Sequence, residues 1–222
     1  MKVLEAEFLT TAASAADVPP HATPQIALVG RSNVGKSSLI NALTRRRVAR
    51  TSGQPGKTRL VNLYRVVLAG WPAGGHAEAH RGKAGTVYLA DLPGYGYARA
   101  PRQARGAPSQ SKGGREASRL EFARLTEEYF GEVAPAAALL VVDARHPGLA
   151  SDLEAWAWIA TLGRPAAVVV TKSDKLGRAE LTRALGQIER ECQSAVVAVS
   201  AETGAGMDDL WNRIATLVTA RA

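Results

Sequence analysis

Short, densely apolar runs recur along the chain at Ile26–Val29, Leu60–Leu68, Thr86–Ala90, Ala138–Val142, Ala166–Val170 and Ala195–Val199. Little polar residue breaks them, which suits strands covered on both faces. Helical patterns lie between them. Lys36–Leu43 starts directly from a glycine-rich loop, without an ordinary capping residue. "SDLEAWAWIATLG" has Ser151 three residues before Glu154, which predicts a capping box, and Leu153, Trp156, Ala157 and Ala160 share a face. "MDDLWNRIATLV" sets Met207, Leu210, Trp211, Ile214, Leu217 and Val218 on one stripe. Trp156, Trp158 and Trp211 therefore read as packing residues, not as a platform for stacked bases.

Strands alternating with helices predict an α/β fold with a mostly parallel sheet. No helix separates Leu60–Leu68 from Thr86–Ala90; a Gly/Ala-rich connection joins them. They are expected to be an antiparallel pair at the sheet edge. The expected architecture is three layers around a six-stranded sheet with one antiparallel edge strand. Residues 25–222 are expected to form one domain, with residues 1–24 packed on it.

The chain carries a net +8 over 222 residues, and the charge is uneven. Residues 45–59 hold +6 and residues 99–119 hold +5, which leaves −3 for everything else. Two localised positive segments point to a polyanionic partner rather than to a uniformly basic surface. The second, around "RAPRQARGAPSQSKGG", lacks large apolar residues and predicts a mobile loop. Cys192 is the single cysteine, so neither an internal disulfide nor a cysteine zinc cluster can form, which suits a reducing cytoplasm. It reads as a small helix residue. No window reaches the ~18 consecutive apolar residues of a membrane span, and the N-terminus lacks the pattern of a secretory signal.

The stretch "GRSNVGKSSLI" fits G-x-x-x-x-G-K-[ST] through Gly30, Gly35, Lys36 and Ser37, with a strand before it and a helix after it. Phosphates need backbone N–H donors close in, and glycine lets the backbone approach. The helix N-terminus faces the anion, Lys36 brings a full charge to the β and γ phosphates, and the Ser37 hydroxyl can bind Mg²⁺. Arg31, Ser32, Asn33, Val34 and Ser38 complete the expected phosphate cradle. In "DLPG", Asp91 ends a strand and Leu92, Pro93 and Gly94 follow. This places a carboxylate near the Mg²⁺ shell and a backbone N–H near the γ-phosphate. "TKSD" sets Thr171, Lys172, Ser173 and Asp174 after another buried strand. The Asp174 carboxylate can accept from guanine N1–H and the 2-amino group, donors that adenine lacks. Lys172 can lay its stem over the purine. Val199, Ser200 and Ala201, after the last strand, can offer a backbone N–H to guanine O6. Within "TSGQPGKTR", Gly56, Lys57 and Thr58 form a candidate switch, with Thr58 closing on Mg²⁺ and γ-phosphate. Expected catalytic groups are Lys36, Thr58 and Asn33; expected Mg²⁺ ligands are Ser37, Thr58 and Asp91.

Together with "AEFLTTAAS", "DLPGYGYA" and "LLVVDARHPGL", these motifs make the chain resemble the EngB family of bacterial ribosome-biogenesis GTPases, in the Era-like group. The resemblance covers nearly the whole length. It implies a P-loop GTPase fold and binding of GTP, GDP and Mg²⁺; a cytoplasmic monomer without a membrane partner is expected. It also implies a role on the large ribosomal subunit precursor and a link to cell division and septation, and the two basic segments flanking the nucleotide motifs make ribosomal RNA, held through its phosphates, the expected target. Two departures are a longer connection between Gly70 and Gly85 and an unusually basic segment after "GYGYA". Ras-like enzymes place a glutamine after D-x-x-G; Tyr95 stands there instead, which predicts slow intrinsic hydrolysis. Asn33 leaves two readings open. Related GTPases with asparagine here hold K⁺ beside the phosphates in place of an arginine finger, or the residue simply stabilises the loop turn. Two other classes share a P-loop: a regulatory module that hydrolyses GTP incidentally, and an ATP-dependent kinase, against which "TKSD" argues.

Overall fold

Six consecutive buried residues in Gln25–Gly30 and seven in Ala137–Asp143 require cover on both sides, and they receive it. The computed structural model describes residues 1–19, 23–50, 60–71, 84–95, 124 and 126–220. Seven strands form one sheet: β1 (Lys2–Ala12), β2 (Gln25–Gly30), β3 (Val61–Ala69), β4 (Gly85–Asp91), β5 (Ala137–Asp143), β6 (Ala166–Thr171) and β7 (Val196–Ala198), in the order β1-β3-β4-β2-β5-β6-β7. The run from β4 to β7 is parallel; β3 is antiparallel to both β1 and β4.

Helices α1 (Lys36–Thr44) and α4 (Met207–Thr219) cover one face, where Leu39, Ile40 and Leu43 meet Trp211 and Ile214. Helices α2 (Ala150–Thr161) and α3 (Arg178–Cys192), with a π-helical turn at Tyr129–Val133, cover the other through Ile159, Ile188 and Phe130. The tryptophans pack as expected. Trp211 Nε1 donates to the Leu43 carbonyl at 3.1 Å, Trp156 Nε1 to the Cys192 carbonyl at 2.8 Å, and Trp158 meets Phe130 edge-on.

Three expectations change. The sheet has seven strands rather than six, because the N-terminal residues pair as β1 along β3. Their alternation was hidden by two register shifts, at Val3/Glu5 and Phe8/Thr10, which break the period of two. The antiparallel β3 consequently lies one position inside the edge. The capping box at Ser151 does not form: α2 starts at Ala150 with no side-chain cap, Ser151 falls within its first turn, and Asp152 turns inward. Helix α3 was missed, although Leu181, Ala184, Leu185, Ile188 and Cys192 follow helical spacing and pack on the sheet. Its first turn is tied by the Gly177 N–H donating to Glu180.

Candidate nucleotide site

Parallel pairing brings the C-terminal ends of the central strands to one edge. Gly30 lies opposite Val141, Leu28 opposite Asp91, and Asp143 opposite Thr171. Ligands of open α/β sheets bind outside such carboxyl ends. The loop leaving β2 turns through Asn33 (φ 61) and Gly35 (φ 111), both left-handed, before α1 begins at Lys36. Gly35 has no side chain to cap α1, so the first-turn N–H groups have no side-chain acceptor at the cap and suit an anion.

Lys36 is 8% exposed, and its ammonium donates to the carbonyls of Gly30 at 2.9 Å and Arg31 at 3.3 Å. Burial lowers its pKa, opposed by the attraction of Asp91. Asp91 is 2% exposed. Burial pushes its carboxyl up, against the pull of Lys36 and a 2.7 Å hydrogen bond from Ser37 Oγ to Oδ2. Its other oxygen, Oδ1, is buried without a hydrogen-bond partner. A buried carboxylate with an orphaned oxygen beside a serine hydroxyl is a hard oxygen donor set, and it fits Mg²⁺. Thr58, the third expected ligand, lies outside the described residues, as do Gly56, Lys57 and the whole 99–115 segment.

The turn after Asp91 closes on the phosphate loop. The Leu92 N–H donates to Leu28, Ser32 N–H donates to the Tyr95 carbonyl at 3.1 Å, and Ser32 Oγ to the Gly94 carbonyl at 3.4 Å. A Cβ on Gly94 would stand 2.6 Å from Ser32 N, so only glycine fits there.

At the base end, Thr171 Oγ1 donates to the carbonyls of Val34 at 2.7 Å and Val142 at 2.9 Å, tying β6 to the phosphate loop. Lys172, left-handed at φ 59, donates from Nζ to the Asn33 carbonyl at 2.9 Å and to Asp143 Oδ2 at 2.8 Å. The Ser173 N–H donates to Val199. Asp174 is held from two sides: buried Ser200 donates to Oδ1 at 2.7 Å and Lys175 pairs with Oδ2 at 2.9 Å. Those bonds, Ser200 first, hold its carboxyl below the ordinary range. A cleft of about 700 Å³ lies at the base end and along α1, lined among others by Gly35, Ser38, Lys172, Asp174 and Ala201. That volume suits a small-molecule ligand. Arg45, Arg46 and Arg47 line the same cleft.

Four residues near the site carry roles that motif reading did not assign. Arg31, expected in the phosphate cradle, directs its side-chain Nε to Asp152 Oδ1 at 3.0 Å. Asp152 is 4% exposed and also accepts from the Tyr95 hydroxyl at 2.9 Å. Burial raises its carboxyl pKa, and Tyr95 and Arg31 work against that. Burial and then Asp152 push the Tyr95 phenol far up, so it stays protonated and donates. Asp143 pairs with Arg145 and Lys172. Burial works against its charge, but the hydrogen bonds from Arg145 and Lys172 outweigh it and hold the carboxyl well below the usual range. The available signal for Asp143 was an acid ending an otherwise apolar strand, the same signal that singled out Asp91.

A family model described as 50S ribosome-binding GTPase matches residues 25–172. "Probable GTP-binding protein EngB" of Symbiobacterium thermophilum is 40% identical over 235 residues, covering 95% of this chain and 94% of that protein. The protein of the same name from Anaeromyxobacter sp. (strain K) is 39% identical over 222 residues, covering 98% and 93%. Among solved structures, a variant of Aquifex aeolicus Era bound to GDP and AlF₄⁻ aligns with TM-score 0.62 and 26% identity, over 88% of this chain and 57% of that one. A crystal structure of a probable GTP-binding protein engB aligns with TM-score 0.57 and 23% identity, over 87% and 98%. Among the described residues, no helix is long and apolar enough to cross a membrane.

Proposed function

The chain belongs to the EngB group of the 50S ribosome-binding GTPases, GTP-hydrolysing enzymes, and from that premise we propose that it acts as a nucleotide switch in large ribosomal subunit assembly. On this reading it binds the subunit precursor through ribosomal RNA, works as a cytoplasmic monomer, and is needed for normal division and septation. The observation that carries the RNA contact is the position of Arg45, Arg46 and Arg47. These exposed cations line the nucleotide cleft itself, so charge offered to a polyanion sits where nucleotide state can be felt.

Phosphoryl transfer to water needs neutralised charge and a positioned nucleophile. Lys36 and the first-turn amides of α1 serve the first need, and Asp174 with Ser200 fixes the guanine edge. Mg²⁺, held by Ser37 and Asp91 with Thr58, would neutralise charge on the β and γ phosphates. Asn33 is proposed to hold K⁺ at the same phosphates, in the place of an arginine finger. The second need is served less well. Tyr95 has no side-chain amide to orient water and its hydroxyl already donates to Asp152, so intrinsic hydrolysis is slow until a partner orders the switches.

The test is co-sedimentation with large-subunit particles in the GTP-loaded and GDP-loaded states, with and without Arg-to-Glu changes at Arg45, Arg46 and Arg47. Binding should favour the GTP state, weaken with salt, and collapse in the variant. Binding indifferent to nucleotide, salt and these arginines would refute the reading.

A further inference from the structure

We propose that Asp143 is a positioning residue for nucleotide binding: it fixes the Lys172 ammonium across the phosphate loop, so that the lysine stem is held ready as a plate for the purine face. The inference rests on the guanine reading of the cleft and extends it to Asp143, for which the sequence motifs gave no role.

A lysine side chain has four rotatable bonds, and an unpinned one would lose its ordering entropy each time a ligand arrived. Here the cost is met beforehand. Lys172 Nζ is gripped at 2.9 Å by the Asn33 carbonyl and at 2.8 Å by Asp143 Oδ2. Its Cε passes 3.9 Å from where a Cβ on Gly35 would stand, so the stem lies against the loop that begins α1. Of the two anchors, only Asp143 carries charge.

Asp143 is itself immobilised. It ends β5 opposite Thr171, its side chain is 6% exposed, and Arg145 saturates what Lys172 leaves. Arg145 donates its N–H and Nε to Oδ1, each at 3.0 Å, and Nη2 to Oδ2 at 2.8 Å. A carboxylate with four donors on a rigid strand end cannot drift with the lysine, so the lysine must come to it. The same lysine holds the Asn33 carbonyl, so Asp143 also steadies the left-handed turn of the phosphate loop from the base end.

The purine face is common to guanine and hypoxanthine, whereas the 2-amino group belongs to guanine alone. A residue acting through the stem must therefore affect both bases equally, unlike one acting through Asp174. The experiment measures dissociation of GDP, IDP and ADP from the full chain for wild type, Asp143→Asn, Lys172→Met and the double variant. Asp143→Asn should release GDP and IDP about tenfold faster, within the coupling range of contacting residues, with their ratio unchanged. Once Lys172 is methionine, Asp143→Asn should add nothing. Unchanged release from folded Asp143→Asn, an altered GDP/IDP ratio, or additive effects in the double variant would each overturn the proposal. If Asp143→Asn does not fold, Asp143→Glu keeps the charge and shifts it by one methylene. It should show the same direction, and unchanged release there overturns the proposal equally. Failure of the guanine reading would appear separately, as wild-type protein with no preference for GDP over ADP.

Discussion

Asp91 ends one strand of the sheet and Asp174 follows another, yet their surroundings are opposite. Asp91 is buried with one oxygen unpartnered, and burial drives its carboxyl toward the neutral form. Asp174 has both oxygens engaged, by Ser200 and Lys175, and is held in the charged form. On the proposed reading the phosphate end is incomplete on its own: a polyanion and a cation would settle the charges of buried Lys36 and Asp91. The base end is complete beforehand, an acceptor pair fixed in place to read donors. Burial gives the first site its strength toward highly charged groups, and preorganisation gives the second its selectivity.

The comparison is broken most sharply at Lys36. Lys36→Ala removes the buried cation from the phosphates and should lower GTP hydrolysis by about 100- to 1000-fold, read by phosphate release at saturating nucleotide. At the base end, Asp174→Asn replaces an acceptor by a donor. Guanine affinity should fall about 100-fold and xanthosine nucleotide binding should appear, measured by competition with a fluorescent GDP. A variant that weakened GDP and XDP alike would mean Asp174 does not read the base edge. A smaller effect is expected from the monovalent ion. If Asn33 holds K⁺, hydrolysis in KCl should exceed that in NaCl at matched ionic strength by several-fold, well short of the ~10³-fold of an arginine finger. Equal rates would leave Asn33 as a turn residue only, consistent with its left-handed φ.

The smallest expected effect is that of pH on base choice. The folded-state pKa of Asp174 lies below its ordinary 3.8, because Ser200 and then Lys175 favour the carboxylate. Its contribution is therefore complete above the unfolded value and is lost only as pH falls through the lower folded one. Preference for GDP over IDP should stay flat from about pH 8 to about pH 5. A midpoint inside that interval would mean that another group reads the 2-amino position.

Much of this site was legible along the chain because its determinants are local. A glycine needed at Gly35 for a left-handed turn, a lysine opening a helix, and a polar residue ending an apolar strand are each visible within a few residues. Strand β1 was not visible, since bulges at Val3/Glu5 and Phe8/Thr10 disrupt the alternation that marks a strand. Ser151 misled for a related reason. A capping pattern is only a local preference, and α2 begins one residue earlier, with Asp152 drawn inward to Arg31 and Tyr95.

Strands β2 to β7, helices α1, α2 and α4, and the glycine loop that precedes α1 followed from the sequence alone, because backbone permissiveness and apolar period act over short spans. Only the tertiary structure decided which distant groups meet: Arg31 with Asp152, 121 residues on, Asn33 with Lys172, 139 residues on, and Asp143 with Lys172 across adjacent strands. Such pairings depend on strand order and register, and these are set by how the whole sheet buries its faces rather than by any neighbouring residue.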